Sequence, residues 1–242
     1  MPKETILLTG ATGNVGSVTL EHLLREGHNV NAVVRNPGKS IPFFESKFPS
    51  AVSSGQLKFT PVPDMTADGA FDSAAASATA IMHIATPLAD GDWVKTMIEP
   101  TWAIDHNILT AAKASKTVKR VIICGTILQT MRVDTDLRNP GVTISEKDYN
   151  SLSFEESKDG PWALAYMFSK TNAEKKTWAW VKENEGSIGF DVVMLLPPSI
   201  TGRSPQIGYR PTPDGPGGIS WVQKRLLFGT DGEVGDSYPF FL

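Results

Sequence analysis

Several features that often reveal a protein's class are scarce in this chain. Its 242 residues include a single cysteine, Cys124, so an internal disulfide is impossible and a reducing compartment is favoured. No run of ~18 apolar residues occurs, so we expect no membrane association. The first residues offer no apolar segment of the kind that a signal peptide needs. Together these absences predict a cytoplasmic protein.

An excess of one charge is also lacking. The chain carries 23 basic and 26 acidic residues, mixed along its length, for a net charge of −3. A nucleic-acid surface normally needs a basic excess, so we expect no nucleic-acid partner. The histidines show no metal-ligand spacing, and neither Gly-x-Ser-x-Gly nor Cys-x-x-Cys occurs. We therefore expect neither a metal site nor chemistry based on those two motifs.

The sequence does contain a regular alternation of β-rich and helical segments. The helical patterns run from about residue 15 to Gly27, from Trp93 to Ala114 and from Trp162 to Glu183, and the run Ala74–Ala80 is typical of a helix end. The predicted strands are Thr5–Thr9, Asn29–Val34, Leu57–Pro61, Ala80–Ile84, Val118–Cys124 and Phe190–Leu196. Such alternation predicts an α/β protein with a Rossmann-type, doubly wound parallel sheet.

A glycine-rich turn joins the first strand to the first helix. Gly10 allows the tight turn, Gly13 lets a phosphate approach the backbone, and Gly16 lets the helix pack closely on the strand. The helix N-terminus favours an anion, so we expect a pyrophosphate here. A purely structural turn is the alternative, but the position on the first strand favours a cofactor site. Its predicted cofactor ligands are Gly10, Thr12, Gly13, Asn14, Val15 and Gly16.

The end of the second strand indicates which nucleotide binds. NAD-selective proteins usually place an acid there for the ribose hydroxyls, whereas this chain has Arg35 and, further on, Lys39. Arg35 can pair bidentately with a 2′-phosphate and Lys39 can add a second charge. Two solvated surface cations are the alternative. We expect NADP rather than NAD.

Two further strand ends supply candidate cofactor contacts. After the third strand, Asp64 can accept from the adenine amino group while Met65 packs on the ring, although an Asp at a strand end is also common as a helix cap. After the fourth strand, the segment Ala85, Thr86 and Pro87 can bring backbone against the cofactor. The preceding histidine, His83, is more typical of a core residue than of a base.

The third helical pattern carries a candidate proton donor. Tyr166 and Lys170 are four positions apart and therefore share one helix face. An ammonium beside a phenol favours the phenolate, so we expect Lys170 to lower the pKa of Tyr166 and to hold the nicotinamide ribose. Thr126, after the fifth strand, can orient a substrate oxygen. Each feature also occurs by chance, and their common location supports the catalytic interpretation. Cys124 is more typical of a buried apolar residue.

Taken together, the motifs resemble those of the extended short-chain dehydrogenase/reductase family. The similarity is greatest to its dihydroflavonol reductase and cinnamoyl-CoA reductase group, with fungal aldehyde and ketone reductases. The matching segments cover nearly the whole chain and are Thr9–Gly16, Val34–Pro37, Pro63–Met65, His83–Pro87, Pro100–Leu109, Arg120–Thr126, Ser145–Asn150, Tyr166–Lys170, Asn172–Lys175 and Leu196–Gly202.

The resemblance implies roles for individual residues. It makes Tyr166 the acid and Lys170 its partner, and it places Pro197, Ser199 and Ile200 along the nicotinamide. The chain departs from the family at two sites. The family's usual serine pair is Gly125-Thr126 here, and its usual Gly-Thr pair before Asn107 is Ile104-Asp105.

The domain boundaries and the function follow from these expectations. Residues 1–200 should form an NADP-binding Rossmann domain with the catalytic helix, and residues 201–242 a small, incomplete substrate lobe that favours self-association. We expect NADPH-dependent reduction of a small-molecule aldehyde or ketone to an alcohol. The alternatives are a catalytically weak NADP-binding sensor or scaffold, and an NAD-dependent epimerase or isomerase of the same fold.

Overall fold

A parallel sheet of six strands organises the protein. The computed structural model describes residues 3–88, 90–132, 141, 143–198, 200 and 205–207. The strands are β1 Thr5–Thr9, β2 Asn29–Val34, β3 Leu57–Pro61, β4 Ala80–His83, β5 Arg120–Cys124 and β6 Asp191–Leu195. Their order in the sheet is β3-β2-β1-β4-β5-β6, with every neighbouring pair parallel. The chain thus starts near the centre and winds outward in both directions, which confirms the predicted Rossmann-type fold.

Helices cover both faces of this sheet. Their bounds are α1 Asn14–Arg25, α2 Pro37–Lys47, α3 Pro49–Ser53, α4 Asp72–Ala75, α5 Glu99–Ala114, α6 Phe154–Lys158 and α7 Trp162–Glu183. Successive strand residues point to opposite faces. Leu7 packs in one core with Ile108 of α5, and Leu8 packs in a second core with Leu20 of α1 and Phe44 of α2. Because both faces are buried, the strands contain nearly continuous apolar runs.

The predicted strands agree with the structure to within two residues at either end. The bounds of β1, β2 and β3 are as predicted, and so are those of α7. The strand β4 ends at His83, one residue early, and β5 begins at Arg120, two residues late. The strand β6 is one residue shorter at each end than predicted. Such differences are normal where pairing ends.

Two helix predictions need correction. The run Ala74–Ala80 is not a helix end throughout, since α4 ends at Ala75 and Ala80 already belongs to β4. A tight turn intervenes, in which the Ala78 amide donates to the Ala75 carbonyl at 3.1 Å. The segment before α5 is a π-helical turn, Val94–Ile98, rather than ordinary α-helix. It lies directly before Pro100, which has no amide hydrogen for a regular helical bond.

The topology gathers the loops after the strands at one edge. Because all six strands are parallel, the residues that follow β1, β2, β4 and β5 lie along the carboxyl edge of the sheet. The predicted substrate lobe, 201–242, lies outside the described residues except for 205–207. Among the described helices, none combines the length and apolarity needed to cross a membrane.

Candidate active site

The glycine turn after β1 has a conformation that side chains would prevent. Gly10 has a φ of +74°, and a Cβ there would lie 2.9 Å from the Ala85 nitrogen. A Cβ on Gly16 would lie only 2.0 Å from the Gly10 carbonyl oxygen, so α1 contacts the turn backbone to backbone. The Gly13 amide closes the turn by donating to the Gly10 carbonyl at 2.9 Å. Glycine is therefore required at two of the three predicted positions for steric reasons.

The start of α1 can accept an anion. Gly13 is the N-cap, no side chain caps the first turn, and that turn contains no acidic residue. The first amides of a helix have no partner within the helix, and the helix dipole adds a partial positive charge. This arrangement suits a pyrophosphate group.

A cleft of ≈ 570 Å³ runs past this turn along the carboxyl edge of the sheet. The sequence predicted most of its lining, namely Gly10, Thr12, Gly13, Asn14, Val15, Gly16, Arg35, Lys39, Met65, Ala85, Thr86 and Tyr166. It missed the remaining lining residues, which are Val33, Asn36, Ser40, Val62, Ile84, Leu88 and Ile207. Most of these are apolar or small, and nothing in their local sequence separates them from ordinary core or loop residues.

Other predicted cofactor residues do not line this cleft. They are Asp64, Pro87, Lys170, Pro197 and Ile200, together with the substrate-orienting candidate Thr126. Instead, the Pro197 carbonyl accepts a hydrogen bond from the Ile127 amide at 3.0 Å. Ser199 lies outside the described residues.

Two cations stand at the β2 side of the cleft. Arg35 follows β2 directly, and Lys39 lies in the first turn of α2; both are exposed. The Asn36 side chain caps α2 by accepting from the Lys39 amide at 3.1 Å. Neither cation forms a salt bridge within the part of the chain that the structure describes. Both therefore remain available to an anionic ligand.

Asp64 is engaged in its own turn. Its carboxylate accepts from the Thr66 amide at 2.8 Å and from the Thr66 hydroxyl at 2.6 Å. These bonds hold the pKa of Asp64 below its usual value, and the charge of Arg35 lowers it further. The adenine contact of Asp64 stays a prediction, while its neighbour Met65 lines the cleft.

Among the residues that line the cleft, Tyr166 is the one whose side chain is a neutral acid. Burial raises the pKa of its phenol, the Cys124 thiol acts in the same direction once it is ionised, and the side chain of Thr126 opposes both. We predicted that Lys170 would lower this pKa, and that is wrong for the protein without ligand. The raised pKa keeps Tyr166 protonated at neutral pH, as a proton donor must be.

Lys170 lies beneath the cleft rather than along it. Its side chain is buried, and its ammonium donates to the Cys124 carbonyl at 3.1 Å. Burial lowers the pKa of Lys170, while the charge of Asp105 opposes this effect, as the Cys124 thiol also does once it is ionised. The lysine thus ties α7 to the end of β5, where Thr126 follows.

The segment after β5 is fixed by a buried glutamine. Thr126 begins a short 3₁₀ helix, Ile127–Gln129, and its amide donates to the Gln129 side chain at 2.7 Å. Gln129 also donates to the buried carboxylate of Glu174 on α7. A Cβ on Gly125 would lie 2.1 Å from the Gln129 side-chain oxygen. The glutamine therefore occupies the space that a serine at position 125 would need.

A tryptophan that the sequence analysis missed covers the Tyr166 ring. The two rings are nearly parallel, with an interplanar angle of 7° and centroids 5.1 Å apart. Trp162 and Tyr166 lie four positions apart on α7, the same spacing that identified Lys170. The helix thus carries an aromatic ring one turn before the phenol and an ammonium one turn after it.

The fold and this site define the class of the protein. The strand order, the glycine turn after β1 and the cleft beside it are the arrangement of dinucleotide-binding Rossmann proteins. Residues 6–227 match the NAD dependent epimerase/dehydratase family. The chain belongs to this family, which confirms the resemblance inferred from the motifs.

Two of the relatives that the chain resembles are a fungal and a plant reductase. The chain is 33% identical over 214 residues to the ketoreductase CTB6 of Cercospora beticola, covering 84% of this chain and 58% of the ketoreductase. It is 30% identical over 197 residues to the anthocyanidin reductase of Arabidopsis thaliana, covering 81% of this chain and 55% of that protein. The chain thus spans little more than half the length of these relatives.

A solved structure shares the fold. Yeast methylglyoxal/isovaleraldehyde reductase Gre2, crystallised with NADPH, superposes with a TM-score of 0.76 over 83% of this chain and 59% of the yeast protein. The identity is 22%, so this likeness establishes the fold alone.

Proposed function

We propose that this chain forms the cofactor-binding part of an NADPH-dependent reductase that converts an aldehyde or ketone to an alcohol. The observation that carries the proposal is one cleft that brings together an anion-binding glycine turn, two cations and a protonated phenol. In the sheet order, Arg35 follows β2 on one side of the turn, and Tyr166 lies near β5 on the other. This spacing suits an elongated dinucleotide.

The residues present fit NADP at the phosphate side. The turn has no side chain where Gly10 and Gly16 meet backbone, and α1 begins with uncapped amides. Arg35 and Lys39 are exposed cations at the site where a ribose 2′-phosphate would lie. A charge-assisted contact of this kind contributes about 1.5–3 kcal/mol.

Tyr166 fits the role of proton donor. Bound NADPH would supply the hydride that adds to the carbonyl carbon. The Tyr166 hydroxyl would give its proton to the carbonyl oxygen, which completes the alcohol and leaves a phenolate. The Thr126 side chain opposes the rise in the pKa of the phenol and would help to stabilise that phenolate. The proposed role of Lys170 is to hold the nicotinamide ribose, since it does not lower the pKa of the phenol in the protein without ligand.

The relatives support a reductase as the whole protein. Their names include a ketoreductase, an anthocyanidin reductase and an aldehyde reductase, and Gre2 is described with NADPH. The role of Tyr166 as proton donor, the preference for NADP and the substrate class are parts of our proposal.

A second candidate is an NADP-binding protein with little activity. It is favoured by the position of Lys170, whose ammonium donates to the Cys124 carbonyl, and by the raised pKa of Tyr166. An NAD-dependent epimerase or isomerase is the third candidate. Arg35 argues against it, because a redox cofactor that is recycled within the site has no need of the 2′-phosphate.

Cofactor binding tests the first step. We expect the chain to bind NADPH more tightly than NADH, and Arg35→Ala to weaken NADPH binding by about tenfold or more while changing NADH binding little. The matched control is Arg25→Ala, which removes an exposed arginine at the far end of α1. Dissociation constants for NADPH and NADH, measured by cofactor fluorescence, compare the unchanged chain with the two variants. Equal affinities in the unchanged chain would refute the NADP preference.

Turnover separates the three candidates. NADPH oxidation would be followed with a panel of aldehydes and ketones. The assay would use this chain and, where the chain is part of a longer natural protein, that protein as well. Reduction of any of them supports the reductase. Tight NADPH binding without turnover favours the sensor, and isomerisation without net oxidation favours the epimerase.

A further inference from the structure

A buried acid lies beside the candidate catalytic residues without a role in the proposal above. Asp105 on α5 is 4% exposed and stands where the resembled family usually has a small residue. Its carboxylate oxygen lies 3.2 Å from Nε2 of His83 at the end of β4, and the histidine is equally buried. Buried acids are rare unless they are paired, so this pair requires an explanation.

The hydrogen bonds around Thr9 determine where the protons lie. The Thr9 hydroxyl oxygen accepts from the Ile84 amide at 3.0 Å and from the Ala85 amide at 3.1 Å. Both lone pairs of the oxygen are then used, so its proton must point to Nδ1 of His83, which is 2.8 Å away. Nδ1 therefore accepts and carries no proton.

The charge of the cluster follows from this count. With Nδ1 as an acceptor, His83 is neutral and its single proton lies on Nε2, where it donates to Asp105. Asp105 then only accepts from His83, and the neutral histidine brings no positive charge to offset an ionised carboxylate. With Asp105 ionised, the chain of Thr9, His83 and Asp105 holds one negative charge inside the protein.

The nearest buried cation is Lys170. It is 6% exposed, and within the described residues its ammonium donates to a neutral carbonyl, that of Cys124. A buried ammonium with only a neutral acceptor is costly. The helices α5 and α7 pack against each other, while β4 and β5 are neighbours, with His83 paired to Ile123, the residue before Cys124. Asp105 and Lys170 therefore approach the same edge of the sheet from adjacent helices.

We propose that Asp105 is the buried counter-charge of Lys170, a positioning residue that acts on the lysine through the electric field rather than by contact. The titratable groups that act on the ammonium from the packed elements are Asp105 on α5 and Cys124 on β5. Burial raises the pKa of Cys124, so its thiol is neutral at neutral pH, and Tyr166 is protonated. Asp105 is thus the anion that opposes the cost of burying Lys170.

A double-mutant cycle tests the pairing without any need for activity. The variants are Asp105→Asn, Lys170→Met and the double variant, and urea unfolding of each gives a midpoint. Asparagine keeps the acceptor for His83 and removes only the charge. We expect Asp105→Asn to lower the midpoint clearly in the unchanged chain and much less beside Lys170→Met, because the uncompensated ammonium is then gone. Equal losses in both backgrounds would overturn the proposal.

A folding failure would still be informative. If Asp105→Asn does not fold, the double variant should fold, since the destabilising ammonium is absent. A double variant that also fails would show that Asp105 acts structurally and would overturn the proposal. Asp191→Asn is the control, because it makes the same change at an exposed ion pair with Arg120 on the edge strand β6.

A pH profile gives a readout that a purely structural role would not move. This arm rests on the proposed function, because it uses NADPH binding through Lys170. Without Asp105, Lys170 should lose its proton at lower pH, so the NADPH dissociation constant of Asp105→Asn should rise by about tenfold more than that of the unchanged chain between about pH 6 and about pH 9. Parallel profiles would overturn the inference, whereas a lack of NADPH binding in the unchanged chain would refute the proposed function and leave the unfolding cycle to decide this one.

Discussion

The two sides of the cleft are built in opposite ways. On the β2 side, Arg35 directly after β2 and Lys39 in the first turn of α2 are exposed cations, and the glycine turn achieves its shape through its own backbone. On the β5 side, Lys170 is buried and donates to the Cys124 carbonyl. The first side exposes groups for a ligand, whereas the second holds its groups in tertiary contacts.

This difference indicates how each side should respond to mutation. An exposed cation interacts with a ligand and is screened by salt, so its loss should change affinity and leave stability almost unchanged. A buried group takes part in packing and in hydrogen bonds at once, so its loss should change stability together with function. The variants below examine this contrast in order of decreasing effect.

The largest effect is expected at the phenol. Tyr166→Phe should leave NADPH binding nearly intact and lower turnover on the order of 10²–10⁴-fold, because it removes the proton donor and keeps the ring that stacks on Trp162. Lys170→Met should weaken both binding and turnover. The double variant should be little slower than the slower single variant, since residues that act together are not additive.

Tyr149→Phe is the matched control for this prediction. The Tyr149 ring packs under the Lys175 ammonium at 4.9 Å and does not line the cleft. The Tyr149→Phe variant should therefore reduce carbonyl substrates at the rate of the unchanged protein. Steady-state rates on one substrate decide the matter, and a Tyr166→Phe variant with unchanged turnover would show that another group supplies the proton.

A smaller effect is expected at the glycine turn. Gly16→Ala places a Cβ 2.0 Å from the Gly10 carbonyl oxygen, a backbone atom that cannot move without shifting β1 or α1. We expect a loss of about 1–3 kcal/mol of unfolding free energy, measured in urea, together with loss of NADPH binding. This would sharpen the contrast, because Gly16 is a buried residue of α1 and its loss should change stability together with binding.

Gly189→Ala provides the comparison for that variant. A Cβ there meets nothing within 4 Å, so stability and NADPH affinity should stay within error of the unchanged chain. If Gly16→Ala folds and binds as well as Gly189→Ala does, the close approach of α1 to the turn is not needed for the site.

The same contrast explains how far the sequence alone could lead. The glycine turn, β1 to β3 and α7 were predicted with their observed bounds, because each depends on residues that are close in sequence. The helical spacing likewise placed Tyr166 and Lys170 on one face. Local pattern was sufficient wherever the structure is set by local backbone geometry.

The contacts on the β5 side could not be predicted in this way. Lys170 reaches a carbonyl 46 positions away, and Thr9 meets His83 across 74 positions. The expected effect of Lys170 on the Tyr166 pKa was wrong because spacing on a helix does not reveal burial or a competing acceptor. Gly125 differed from the resembled family, but only the structure shows Gln129 in the space beside it.

The smallest effect is expected at Glu156, an exposed charge on the β5 side, where α6 packs against α7. Bonds from Ser153, aided by Arg132, hold its pKa at about 2, below the usual 4.5. A lowered pKa stabilises the fold above about pH 4.5, and this is lost as the pH falls towards about 2. Glu156→Gln should therefore be slightly less stable than the unchanged chain near neutral pH and equal to it at about pH 2, in thermal unfolding. Glu155→Gln is the control, because it removes only the salt bridge of Glu155 with Lys158. A difference that persists in acid would show that the contribution of Glu156 is not electrostatic.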